Sequence, residues 1–157
     1  MLHPGKCDRR AKIFWSAPAI LLQLFFLFCT SGTVVAQTLV ANTDVPVVKL
    51  DRNFVRSIFL MRIREWSDGK PITVFVLEGK EAIHREFCSE VLEMFPYQLQ
   101  QRWDRLVFSG TGQAPFFVKD EAELLKKIRN TSGSIGYIAR EMVDEKIKVI
   151  SVDSESL

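Results

Sequence analysis

The chain has 157 residues, 47% hydrophobic and 25% charged, with Lys and Arg totalling 21 against 19 for Asp and Glu. That length suits one domain of ordinary size. Its small positive charge gives no argument for nucleic-acid binding, because much of the basic excess sits at the N-terminus.

Arg9, Arg10 and Lys12 precede the apolar run APAILLQLFFLFC, and the small-residue segment TSGTVVA follows, ending at Ala36. This order is expected of a cleavable secretory signal peptide over residues 1–36, with a domain over 37–157 exported to the periplasm. The apolar run is short for a membrane span, so contact with a membrane is expected only through an uncleaved leader. Phe28 before Cys29 argues against a lipoprotein signal. Without the leader the chain carries 17 basic and 18 acidic residues, a formal charge of −1. Cys7 and Cys29 fall within the leader, so Cys88 is left alone and no internal disulfide is expected.

After the leader, TLVA (Thr38 to Ala41) is expected to be the first strand. A helical pattern then runs from Asp51 to Trp66, with Val55, Ile58, Phe59 and Arg62 on one face and Asp51 as N-cap. SDGKP is a turn signal, and ITVFVL (Ile72 to Leu77), apolar on both faces, predicts a buried central strand. A second helix carries Ile83, Phe87 and Val91 at four-residue spacing. Cys88 falls on its apolar side, as expected of a buried structural thiol. Pro96 suits the first turn of a third helix, with Leu99, Trp103 and Leu106 inward. Asp120 and Glu123 form a capping-box start to a fourth helix, EAELLKKIRN, and IGYIA and IKVISV close the chain as strands. The alternation predicts a single α/β domain with a mostly covered sheet.

Two stretches raise the question of anion binding. Ser109-Gly110-Thr111-Gly112 has the composition of a phosphate cradle but follows a helix instead of opening one. Gly110 is therefore expected as a helix stop and Gly112 as a loop hinge. The better placed stretch is LEGKEAIHREF, where a buried strand ends and a helix begins. It supplies Gly79, Lys80, His84 and Arg85, but also Glu78 and Glu81. A carboxylate held ~4 Å from a bound phosphate repels it by roughly 4 kcal/mol at an effective dielectric of 20, more than a helix N-terminus contributes.

SIFLMRIREWSDGKPI, AIHREFCSEVL, QLQQRWDRLVFSGTGQAP and SGSIGYI, in that order, resemble the small phosphate-type periplasmic substrate-binding-like proteins. These are short relatives of the phosphate-binding component of ABC transporters. The resemblance implies one lobe of a type II periplasmic-binding-protein-like fold, a mixed sheet flanked by helices. It also implies an oxyanion such as phosphate as ligand, at Gly79, Lys80, Glu81, His84 and Arg85. The family typically has serine at the position of Glu81 and arginine at that of His84, so this chain departs at both. The alternative it leaves open is a degenerate member that has lost the ligand and serves an envelope protein partner or a sensor.

Other chemistry finds little support. His84 and Cys88 lie one helical turn apart, but a tetrahedral metal site needs two further ligands. No hydrolase elbow or Walker sequence occurs, so neither catalysis, metal nor cofactor is expected. Trp66, Trp103 and Phe116 are expected as core or loop-anchoring aromatics, and Arg62, Arg64 and Lys70 as a solvated basic edge.

Overall fold

The computed structural model of the chain describes residues 37–78, 82–143 and 145–153. The expected leader and the loop residues Gly79, Lys80 and Glu81 lie outside the described residues. No helix among the described residues is long and apolar enough to cross a membrane.

Six strands form one mixed sheet: β1 (Gln37–Ala41), β2 (Lys49–Asp51), β3 (Thr73–Leu77), β4 (Phe116–Val118), β5 (Ser134–Ala139) and β6 (Lys148–Asp153), in the order β2-β6-β1-β5-β3-β4. β1 runs antiparallel to both neighbours, with Gln37 opposite Ala139 and Leu39 opposite Ile150. The pairs β2–β6, β3–β4 and β3–β5 are parallel. β3 is interior, as its unbroken apolar run predicts, and only Thr73 at its start escapes full burial. β2 has three residues with one buried, too few for strand alternation to show in sequence.

The helices α1 (Arg52–Phe59), α2 (Ala82–Glu86), α3 (Pro96–Phe108) and α4 (Glu121–Asn130) connect these strands. Alternation along β5 separates the two faces of the sheet. The Ser134 hydroxyl donates to the Ile128 carbonyl at 3.0 Å, which sets α4 on one face. Tyr137, of opposite parity, stacks on Phe87 with ring centroids 3.9 Å apart and lies 6.0 Å from Phe59, which sets α1 and the α2 segment on the other. The core is thus two layers of apolar side chains with the sheet between them.

α1 ends much earlier than the periodicity suggests. Asp51 caps it as expected, accepting from the amides of Asn53 at 2.8 Å and Phe54 at 3.3 Å. After Phe59 the chain turns through Met61 in the left-handed region, φ 58°. The amides of Arg62 and Ile63 both fold back onto the Ser57 carbonyl, at 2.9 and 3.3 Å. This turn releases an extended segment that buries Trp66, whose indole N–H donates to the Gly133 carbonyl at 2.9 Å. Arg62 consequently leaves the inner face on which sequence periodicity put it and is exposed.

α2 also changes character, passing at Phe87 into a π-helical turn, Phe87–Val91. α3 opens on Pro96, and the Gln98 side chain accepts from the Phe95 amide at 3.0 Å. α4 begins as expected at Asp120, which accepts from the Glu123 amide at 2.8 Å. Glu123 in return reaches one residue beyond the cap and takes the Lys119 amide at 3.1 Å. Trp66 and Trp103 are buried in the core, whereas Phe116 is 58% exposed on the edge strand β4, resting beside Phe75.

Candidate functional site

The end of β3 and the start of α2 are held together from beneath by one side chain. The Leu77 amide lies past the last β3–β5 pair, Val74 with Ile135, so the ladder offers it no acceptor. The Tyr137 hydroxyl takes that role at 3.1 Å. The same hydroxyl lies 2.5 Å from His84 Nδ1. The phenol thus joins the Leu77 amide and the imidazole in one hydrogen-bonded chain, with the imidazole tautomer setting which of the two side chains donates. Nε2 faces the Cys88 sulfur at 3.6 Å.

Burial governs the charge of this chain of groups. His84 is 3% exposed, and desolvation pushes its pKa below the usual imidazole value. Cys88 is fully buried, and desolvation pushes its thiol up to about 12. Burial raises the Tyr137 phenol as well. All three are therefore neutral at pH 7. Both imidazole nitrogens are engaged inside the protein, so His84 acts from behind the strand end, fixing β3 against α2. Arg85, the next residue, is exposed. Of the five residues singled out in sequence, the structure thus describes two, one facing inward and one outward. The carboxylate of Glu78, ahead of the undescribed loop, belongs to an exposed residue whose amide continues the β4 ladder to the Val118 carbonyl at 3.1 Å.

A second polar region lies between the end of α1 and the C-terminal half of α3. A groove of about 590 Å³ is lined by Arg62, Arg64, Arg102, Arg105, Ser109 and Thr111, over an apolar floor that includes Leu60 and Leu106. Trp103 fixes its two walls, donating its indole N–H to the Phe59 carbonyl at 2.8 Å. Gly110, φ 66°, ends α3 in the left-handed conformation expected of it. Gly112 lies in the loop after α3, beside Arg64. The Arg64 guanidinium donates to the Thr111 carbonyl at 2.9 Å, and a Cβ on residue 112 would stand 2.7 Å from Arg64 Nη2. A side chain at position 112 would displace the end of Arg64 from its present place.

The expected basic edge is therefore divided. Arg62 and Arg64 join this groove, while the Lys70 ammonium lies 3.6 Å from Asp44 and 3.4 Å from Asp68. Arg102 and Arg105 were missed in sequence. Their three-residue spacing, opposite the inward Leu99 and Trp103, was the available signal.

The six-stranded mixed sheet with helices on both faces is similar in fold to about half of several solved phosphate-transport proteins. A putative phosphate ABC transporter substrate-binding protein with bound phosphate from Clostridium perfringens matches at a TM-score of 0.62 and 18% identity, over 77% of this chain and 46% of that one. PstS from Borrelia burgdorferi matches at 0.60 and 16% identity, over 78% and 49%. An ABC-type phosphate transport receptor from Vibrio cholerae matches at 0.57 and 18% identity, over 76% and 47%. The chain spans about half the length of these structures. No protein-family model and no curated protein matches the sequence.

Proposed function

We propose that the chain is an exported, non-catalytic binding domain for phosphate or a similar small oxyanion, equivalent in size to one lobe of a two-lobed binding protein. The observation that carries this reading is the fold likeness to phosphate-transport proteins over about three quarters of the chain. The anion would meet the exposed Arg85 and the loop of Gly79, Lys80 and Glu81. His84 would hold the start of α2 in place from beneath through the Tyr137 hydroxyl. A single lobe leaves its ligand half in water, so affinity should be modest beside that of a closed two-lobed site.

A second reading is a domain that has lost the ligand and works through an envelope protein partner. It is favoured by the carboxylates of Glu78 and Glu81 on either side of Gly79 and Lys80, in a stretch where an anion would have to approach. Equilibrium dialysis against labelled phosphate separates the two. Saturable binding that weakens at least tenfold in Arg85→Ala supports the first reading. Binding unchanged by Arg85→Ala removes this site, and no binding at millimolar phosphate selects the second reading.

A further inference from the structure

We propose that the groove between the end of α1 and the C-terminal half of α3 is a second anion site. Its ligand class is a short chain of phosphoryl groups, and it is separate from the β3–α2 end. Arg62, Arg64, Arg102 and Arg105 line one groove together with the hydroxyl residues Ser109 and Thr111. Among the described residues, no carboxylate lies within 4.0 Å of any of these four guanidinium groups. Several other cations do have carboxylate partners: Lys49 with Asp153 at 2.8 Å, Arg52 with Glu93 at 2.5 Å, Lys70 with Asp44 and Asp68. Four like charges left together in a domain with no net excess of cations weaken each other's tolerance of the folded state, and a bound anion relieves that repulsion.

One of the four is already fixed in place. Arg64 Nε donates to the Met61 carbonyl at 3.2 Å and Nη2 to the Thr111 carbonyl at 2.9 Å, which ties the two walls and leaves its remaining N–H groups unspent. Gly112 keeps the space this guanidinium occupies. The Ser109 and Thr111 hydroxyls lie 2.7 Å apart beside it. A guanidinium fork matches phosphoryl oxygens two at a time. One orthophosphate would balance about half of the four charges and fill a small part of a groove of about 590 Å³. A chain of two or three phosphoryl groups balances them fully, in linked tetrahedra that each present oxygens to a fork. An acidic peptide would need four separate side chains to deliver the same charge.

The test is calorimetric titration of sodium tripolyphosphate, pyrophosphate and orthophosphate into the full chain at low ionic strength. Tripolyphosphate is expected to bind at least tenfold more tightly than orthophosphate, and Arg102→Gln/Arg105→Gln to weaken it at least tenfold while circular dichroism stays unchanged. Lys126→Gln/Lys127→Gln, which removes the same charge from the exposed side of α4, should change it less than threefold. Arg85→Ala should leave tripolyphosphate binding intact whether or not orthophosphate binds at the β3–α2 end. The proposal is overturned if tripolyphosphate shows no saturable binding to millimolar concentration. It is equally overturned if the lysine pair or Arg85→Ala abolishes binding as completely as the arginine pair, or if a glutamate-rich peptide binds the groove more tightly than tripolyphosphate.

Discussion

Tyr137→Phe removes a single oxygen and leaves the aromatic stack on Phe87 in place. That oxygen accepts from the Leu77 amide at 3.1 Å and shares a hydrogen bond with His84 Nδ1 at 2.5 Å, both within the buried core. Two hydrogen bonds are lost together, and a buried N–H and a buried imidazole nitrogen are left without partners. An unsatisfied buried group costs about 1–3 kcal/mol, and the second costs less where the freed imidazole can shift, so the variant should lose roughly 2–4 kcal/mol. For a domain of this size that lowers the melting temperature by roughly 6–15 °C. Urea denaturation monitored by Trp66 and Trp103 fluorescence measures the loss directly. The partner variant His84→Leu should couple with it, since each removes a bond the other shares, making the double variant milder than the sum. A Tyr137→Phe protein within about 0.5 kcal/mol of the parent would refute the chain of hydrogen bonds from Leu77 to Cys88.

Stability should also fall as pH drops below about 6.5, because burial holds the folded His84 pKa under its unfolded value and the unfolded chain then binds the extra proton. The slope, at most about 1.4 kcal/mol per pH unit, ends once pH passes below the folded pKa, and His84→Leu should flatten it between pH 7 and 5. Met61→Gly relieves about 1–2 kcal/mol of left-handed strain at φ 58°, but glycine's added freedom in the unfolded chain and the lost packing of the half-buried methionine offset it, so thermal denaturation should show little net change. A loss of stability would mean that the Met61 side chain outweighs the strain. Cys88, fully buried with its thiol raised to about 12, should resist iodoacetamide in the folded protein and react only in denaturant. Prompt labelling under native conditions would contradict the buried placement.

Elements with a long periodic signal were legible in sequence: β3, α3, α4, β5 and β6 lie where their apolar spacing and caps indicate. The failures have local causes. The α1 pattern ran on to Trp66, because Arg62 and Trp66 keep helical spacing, but the left-handed turn at Met61 sends only Trp66 into the core. β2 exists through its pairing with β6, a long-range contact that three residues cannot announce. At the candidate site, sequence marked His84 but not the direction it faces. That direction depends on Tyr137, which is distant in sequence and reaches across from β5. The arginine groove was half visible. Arg62 and Arg64 were noted as a basic edge, but their association with Arg102 and Arg105 requires the two walls that Trp103 brings together.

The phosphate-binding reading is tested most directly by following backbone amide resonances of the isotopically labelled protein as orthophosphate is added at low ionic strength. The account predicts saturable shifts that begin at Gly79, Lys80 and Glu81, extend through Ala82 to Glu86, and weaken in Arg85→Ala. Shifts confined to the α1–α3 groove, or none at millimolar phosphate, would contradict it.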